Sequence, residues 1–481
     1  MKKILLSLIL TVIVFTQQAN KPATPKMPNI VLIFMDDMGF GDIGVNGALD
    51  YRTPNLDKLA AEGMRFTNFL SAQAVCSASR AALLTGCYPN RLGISGALFP
   101  GAKVGLDPGE TTIADMLKQK AYATGIFGKW HLGDAQKFLP LQQGFDEYLG
   151  IPYSNDMWPV NYDGSPAQIG SNKTQFPPLP LLKQNLPVDT INNLDDQGML
   201  TSRITDAAIS FIKRNKKKPF FAYIPHPMPH VPIYASPAFR GKSKQGIYGD
   251  VIQEVDYHVG RIMQTLQEEG LDKNTLVIFT SDNGPWFNFG NHAGSTGGFR
   301  EGKGTSFEGG QRVPCIMRWK GTVPAGVVAN QLASTIDILP TLAAFSGASL
   351  PEKKIDGVDL SEVLRGNMDA SPRNEFLYYY RRNALEAVRK GNWKLVFQHP
   401  SRSYLGKKPG FDGFPGPAPE NTLVYESLYD LRRDPAEQYD MKAFYPEIMQ
   451  QLRLLAEEAR KDLGDDLQNR TGSNVRPAGS L

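Results

Sequence analysis

Four short stretches of this chain are almost wholly apolar and end abruptly in polar residues. Residues 29–35 run into Asp36 and Asp37, and residues 123–128 into Lys129, Trp130 and His131. Residues 219–224 run into Pro225, His226 and then His230, and residues 275–280 into Ser281, Asp282 and Asn283. Apolar runs of this length without alternation predict strands buried on both faces, as in a parallel sheet. Between them the apolar spacing shifts to the helical period. Thr53, followed by Pro54 and closed by Gly63, frames one helix. Residues 111–120, 202–215 and 248–269 show the same period. Strands alternating with helices predict an α/β fold: a large mixed, mainly parallel sheet with helices on both faces. In such sheets the ligand site lies beyond the carboxyl ends of the strands, where all four polar clusters fall.

The pattern changes after about residue 365. Residues 375–380, 387–390, 393–397 and 428–431 read as strands of an antiparallel sheet, and 444–463 as a closing helix. The Gly- and Pro-rich stretch 406–420 reads as a loop, and 466–481 as a polar tail, frayed from 468. The expected organisation is a catalytic domain over 28–365 and a small α+β subdomain over 370–465. A length of 481 residues suits one large and one small domain. A net charge of +4 gives no reason to expect nucleic acid as a partner.

Lys2 and Lys3, followed by apolar residues 4–15, read as an export signal ending near Ala19 or Ala23, so residues 1–23 are assigned to it. The apolar stretch is short for a membrane span, and no cysteine follows it to carry a lipid. The protein is expected to be periplasmic or extracellular, with no membrane span once mature; an uncleaved anchor is the alternative. Three cysteines imply no disulfide framework, although Cys87 and Cys315 could pair. Asn172-Lys173-Thr174 and Asn469-Arg470-Thr471 match the short glycosylation pattern.

Cys76 opens a segment, 78–84, that reads as a helix ended by Gly86. A helix N-terminus offers free N–H groups and partial positive charge, which suit an anion. Arg80, four residues on, shares that face. A buried thiol beside a surface arginine is an equal reading of the spacing alone. Asp36, Asp37, Asp282 and Asn283 offer only oxygen ligands, a set that selects a hard cation, calcium before zinc. Each pair alone reads as a turn or cap; the four together, at the ends of two buried strands, read as a cation site. Lys303, flanked by Gly302 and Gly304, lacks P-loop spacing.

Cys76-Ser77-Ala78-Ser79-Arg80, with Leu84-Thr85-Gly86 and Tyr88-Pro89-Asn90-Arg91-Leu92-Gly93, resembles the signature of the formylglycine-dependent (type I) sulfatases of the alkaline phosphatase superfamily. The blocks Gly128–Gly133 and Gly302–Gly310 agree in order, and residues 139–156 resemble the arylsulfatase A and N-acetylgalactosamine-6-sulfatase branch. Two positions depart: Ala78 stands where proline is more usual, and Cys87 where an arginine usually precedes Tyr-Pro. The resemblance implies that a maturation enzyme oxidises Cys76 to formylglycine. It implies one calcium ion on Asp36, Asp37, Asp282 and Asn283, with residue 76 completing the shell. Lys129 would hold a sulfate oxygen, His131 the formylglycine hydroxyl, and His230 would face the bridging oxygen. Lys303 would bind sulfate and leaving oxygen, while His226 matches less well and could be structural. The resemblance implies that one hydroxyl of the gem-diol, activated by the metal and Asp282, attacks sulfur, that His230 with Lys303 helps the alcohol leave, and that the covalent sulfoenzyme collapses by elimination as His131 removes the second proton. The expected substrate is a sulfated carbohydrate, a galactose or N-acetylgalactosamine sulfate being the narrower reading. Asn155, Trp158, His292 and Arg300 are the expected lining of a sugar pocket. The alternatives are a phosphonate or phosphate monoester hydrolase of the same superfamily and a non-catalytic glycan-binding protein. Against the second stands the presence of every catalytic residue that can be matched.

Overall fold

The computed structural model describes residues 27–481, so the expected export signal lies outside the described residues. Strand β1 (Asn29–Met35) shows why seven residues without alternation form a strand. Ile30, Leu32 and Phe34 enter one apolar cluster and Val31, Ile33 and Met35 another. The period of two is invisible in the hydropathy because both faces are core.

In chain order the main sheet continues with β2 (Met64–Phe66), β3 (Ala123–Phe127), β4 (Glu147–Gly150), β5 (Leu179–Lys183), β6 (Leu186–Ile191), β7 (Phe220–Pro225), β8 (Thr275–Ser281), β9 (Cys315–Arg318) and β10 (Val327–Ala329). Their spatial order is β10-β2-β9-β8-β1-β7-β3-β4-β5-β6. The middle five, from β8 to β4, are parallel; antiparallel pairing enters at β9 and at β5. Met35 lies beside Ser281 and Phe34 beside Pro225, so β8, β1 and β7 end at a common edge. Helices α1 (Pro54–Ala61), α2 (Cys76–Thr85), α3 (Ile113–Lys118), α4 (Leu200–Asn215), α5 (Ile247–Glu268) and α6 (Ile338–Ser346) flank the sheet. α2, α3 and α6 cover the Phe34 face, and α1, α4 and α5 the Val31 face.

The small subdomain has four antiparallel strands, β11 (Glu375–Tyr380), β12 (Ala384–Lys390), β13 (Trp393–Val396) and β14 (Ser427–Asp430). Helix α7 (Pro446–Leu463) packs on it through Leu452, Ala456 and Leu463. A buried ion network joins this subdomain to the main domain. Glu308 pairs with Arg312 at 2.7 Å and with Lys394 at 3.2 Å, and accepts a hydrogen bond from the Tyr378 hydroxyl at 2.8 Å.

The reading of 468–481 as frayed is corrected. Arg470–Thr471 pairs with Gly464–Asp465, and Gly479–Ser480 pairs with Val104–Gly105. Arg476 donates to both carboxylate oxygens of Glu110, at 2.8 and 2.9 Å. The same guanidinium lies 3.4 Å from Cys87 Sγ, so a guanidinium reaches this position from the far end of the chain. A polar segment held by a backbone ladder and an ion pair 366 positions away leaves no local signal in the sequence. All three cysteines are free and buried. Among the described residues no helix is long and apolar enough to cross a membrane.

Candidate active site

The strand ends are drawn together by backbone contacts that two glycines permit. Gly128 follows β3 with φ +136°, and a Cβ there would lie 1.9 Å from the Pro225 carbonyl oxygen. A Cβ on Gly150 would lie 1.7 Å from the Gly128 carbonyl oxygen. At this approach the Lys129 N–H donates to Pro225 O at 2.7 Å, and the Gly128 N–H to Leu149 O at 2.8 Å. The Asp282 N–H donates to Met35 O, and the His226 N–H to Phe34 O. Asp37 (φ +62°) and His131 (φ +61°) are both left-handed, a sparsely populated conformation that clusters at functional sites.

Helix α2 begins two residues earlier than the 78–84 segment suggested. Val75 is extended, Cys76 is the first helical residue, and Gly86 closes the helix at φ +69°. Cys76 is 2% exposed and lies at a cavity of about 450 Å³. Burial pushes its thiol up to about 12, Lys129 and Lys303 notwithstanding. An unmodified thiol here stays protonated and is a poor nucleophile and a poor ligand. Arg80, one turn on, is not in the cavity lining. Its guanidinium is 2.7 Å from Asp282 and 3.5 Å from Asp36, fully buried beneath the carboxylates.

The charged groups interlock. Lys129 Nζ donates to Asp36 Oδ2 at 2.5 Å and to Ser154 Oγ at 3.0 Å. Lys303 Nζ lies 2.7 Å from Asp37 Oδ1 and 4.5 Å from the Trp286 ring. Asn283 Nδ2 donates to Asp37 Oδ1 at 2.7 Å, and the Asp37 N–H donates to Asp282 Oδ1 at 3.1 Å. Ligand atoms of Asp36, Asp37, Cys76 and His230 all lie within 4.8 Å of one another. Asp36 Oδ1 and Asn283 Oδ1 are buried with no hydrogen-bond partner among the described residues. Buried oxygens of this kind are nearly always satisfied. A hard cation bound between Asp36, Asp37, Asp282 and Asn283 would satisfy both, so the donor set fits the metal that the sequence implied. Burial would raise Asp36, but Lys129, Arg80, His230 and Lys303 hold it well below the usual carboxylate range. Burial and the Asp36 charge push Asp282 up to about 7, against Arg80.

The two imidazoles are oriented by main-chain carbonyls. His230 Nδ1 is 2.6 Å from Val231 O, and His131 Nε2 is 2.8 Å from Leu98 O. A carbonyl only accepts, so each of these nitrogens carries the hydrogen. The other nitrogen of each ring is left for chemistry: Nε2 of His230, 3.7 Å from Asp37, and Nδ1 of His131, which has no partner. Burial holds both rings below the ordinary histidine value, reinforced by Lys303 at His230 and by Lys129 at His131. His226 is also buried, held down to about 3, and is not in the cavity wall.

The cavity brings together Cys76, His131, His230 and Lys303. Lys129 lies beneath it, bonded to Ser154 in its wall. Asn155, Trp158, His292 and Arg300 are not in its lining. Asn155 is fully buried and donates to the main-chain carbonyl of His230, holding the histidine loop. Trp158 is a core residue, 1% exposed. Arg300 bonds Tyr429 Oη and Glu437 O of the subdomain, and His292 lies on the short helical turn Phe287–His292 outside the cavity. The walls come instead from residues the sequence reading did not assign to a pocket: Asp156, Tyr162, Lys173, Phe176 and Trp286, and, from the subdomain, Tyr380 and Arg402. Trp286 follows the Asp282-Asn283 pair closely enough to have been suspected. Tyr380 and Arg402 reach the cavity only through the docking of two domains.

A family model described as "Sulfatase" matches residues 28–348, two thirds of the chain. The chain belongs to the sulfatase family. A model of the C-terminal region of aryl-sulfatase matches residues 371–480. Human arylsulfatase A is 39% identical over 459 residues, covering 90% of this sulfatase and 88% of that protein. The N-acetylgalactosamine-6-sulfatase of dog (Canis lupus familiaris) is 37% identical over 470 residues, covering 91% and 87%. Among solved structures, the PsFucS1 sulfatase from Pseudoalteromonas sp. superposes with a TM-score of 0.80 at 29% identity, covering 90% of each chain. The protein is thus a sulfuric ester hydrolase with a sulfatase fold, of a family in which formylglycine is typical.

Proposed function

We propose that this sulfatase is exported and removes the sulfate ester of a sulfated sugar, with residue 76 as formylglycine and calcium as the cation. The observation that carries the reading is the convergence of two imidazoles, Lys303 and the oxygen ligand set on residue 76 at one aromatic-walled cavity. The acidic oxygen donors support calcium. The names of the relatives and the aromatic walls support a sugar ester, and the basic and apolar N-terminus supports export and, with the motif, a maturation enzyme as transient partner.

When formed, formylglycine supplies a hydrated aldehyde whose hydroxyl is the nucleophile, and the cation supplies charge neutralisation at sulfate. The chain's own groups do the rest. Lys303, at the cavity wall, places an ammonium against sulfate and the leaving oxygen, where negative charge develops. Lys129 holds the Asp36 carboxylate and Ser154 in place from beneath. His230 Nε2 delivers a proton to the bridging oxygen as the S–O bond breaks, and its depressed basicity makes it a better donor once protonated. Asp282 takes the proton of the attacking hydroxyl, and His131 Nδ1 accepts the second proton of residue 76 as sulfate is expelled and the aldehyde returns.

The test is a peptide mass of the segment around residue 76, from a host that converts such cysteines, read beside sulfate release from a panel of sulfated monosaccharides. Conversion lowers the mass by about 18 Da, whereas oxidation of a thiol to oxyacids raises it. That loss with sulfate release from a sugar is the expected result. A converted enzyme that releases phosphate from phosphate esters but no sulfate would overturn the reading.

A further inference from the structure

We propose that Phe99, Phe176 and Lys173 form an outer subsite for a second saccharide unit bearing an anionic group, sulfate or carboxylate, beside the sulfated sugar. The inference rests on the sugar-sulfatase reading above and deepens it. Phe99 is 58% exposed although it lines the catalytic cavity, which puts it at the rim. Its ring stacks on Phe176 with centroids 6.2 Å apart and planes 9° from parallel. Exposed aromatic faces at a cavity rim suit the apolar face of a pyranose.

Lys173 sits in the same cavity wall, and its pairing sets it apart. Lys129 and Lys303 are neutralised by Asp36 and Asp37, and Arg402 by Glu420 at 2.6 Å. Lys173 takes part in no ion pair among the described residues. Its ammonium donates to the Asp156 main-chain carbonyl and lies 3.9 Å from the centre of the Tyr162 ring. Burial pulls it below the ordinary lysine value, only partly offset by the more distant Asp156 carboxylate. A part-buried cation with no carboxylate in direct contact is only partly compensated, and a ligand anion would complete the compensation. Lys303 lies beside Cys76 in the cavity and is assigned to the cleaved sulfate under the proposed function, which leaves Lys173, in the outer wall beside Asn172 and Phe176, for a different anion. It also gives Asn172-Lys173-Thr174 a reading other than glycosylation, since Asn172 too lines the cavity, where a glycan would obstruct it.

The experiment uses converted full-length enzyme and three sulfated disaccharides alike in the cleaved sulfate but carrying a neutral, a carboxylated or a sulfated neighbour. We expect the wild type to favour one or both charged neighbours over the neutral one by about tenfold in kcat/KM. Lys173→Met keeps the stem over Tyr162 and should erase that preference through KM, while Lys173→Arg should retain it. Which charged arm is preferred identifies the anion as carboxylate or sulfate. A wild-type enzyme indifferent to the neighbour, or a preference that survives Lys173→Met, would overturn the subsite. Converted enzyme that releases no sulfate from any sugar would instead overturn the function on which it rests.

Discussion

His230 has one ring nitrogen committed to a carbonyl and the other free beside the carboxylates, so its role depends on the leaving group it serves. A sugar alkoxide needs a proton to leave and a nitrophenolate does not. His230→Ala should therefore cost about 10²–10⁴-fold in kcat on a sugar sulfate and much less on 4-nitrophenyl sulfate. Equal losses on the two would argue against proton donation. At this scale Cys76, His131, His230 and Lys303, which meet at the cavity, were legible because each stands in a recognisable block: Cys76 opens a helix, the two histidines follow strands, and Lys303 is flanked by glycines. The sugar-pocket set was not. Asn155 and Trp158 lie beside Ser154 and Asp156 in sequence, yet their side chains turn into the scaffold while Ser154 and Asp156 line the cavity. Sequence adjacency does not tell which way a loop side chain points.

The element that sets the site is the edge where β3, β4 and β7 end. Its geometry depends on Gly128 and Gly150, each of which meets another backbone at less than 2 Å from where a Cβ would stand. Gly128→Ala would add a clash with Pro225 O to an unfavourable φ. We expect a loss of about 2–4 kcal/mol, seen as a lowered midpoint of thermal unfolding, with Lys129 and His131 displaced and activity reduced. A variant with wild-type Tm and turnover would show that the edge tolerates separation. The central strands were readable from their unbroken apolar runs. The outer strands β5 and β6 were not, because β6 is exposed along most of its length and carries no core pattern.

Across the whole molecule, the Glu308 network couples the two domains to pH. Burial would raise the Glu308 carboxyl, but Arg312, Lys394 and Arg389 hold it below its ordinary value of 4.5. Its ionised form is thus favoured by folding. The stability it contributes is present above about pH 4.5 and lost as pH falls below. Glu437, 2.8 Å from the same Lys394, is pushed up by burial and by Glu308; it protonates first and has the opposite sign. Glu308→Gln should destabilise the protein by about 3–5 kcal/mol at pH 7, because it leaves buried cations short of a partner. It should also flatten the fall in Tm below pH 4.5; an equally steep fall would place the acid sensitivity elsewhere. The small sheet and its helix were legible from composition. The strap formed by the last dozen residues was not, since its partners are Glu110 and Val104–Gly105 in the other domain.

That strap bears on time. Residue 76 is almost wholly buried at the base of its cavity once the fold is complete, and the ladder from Val104–Gly105 to Gly479–Ser480 cannot close until Gly479 and Ser480 have been made. A ribosome adding roughly 5–20 residues per second needs about 20–80 s to travel from residue 76 to the strap at Gly479. On the reading proposed above, this interval is when the thiol lies open to an oxidising enzyme. On that reading oxidation competes with folding, and slower synthesis or later closure of the strap should raise the converted fraction, read as the share of peptide about 18 Da lighter.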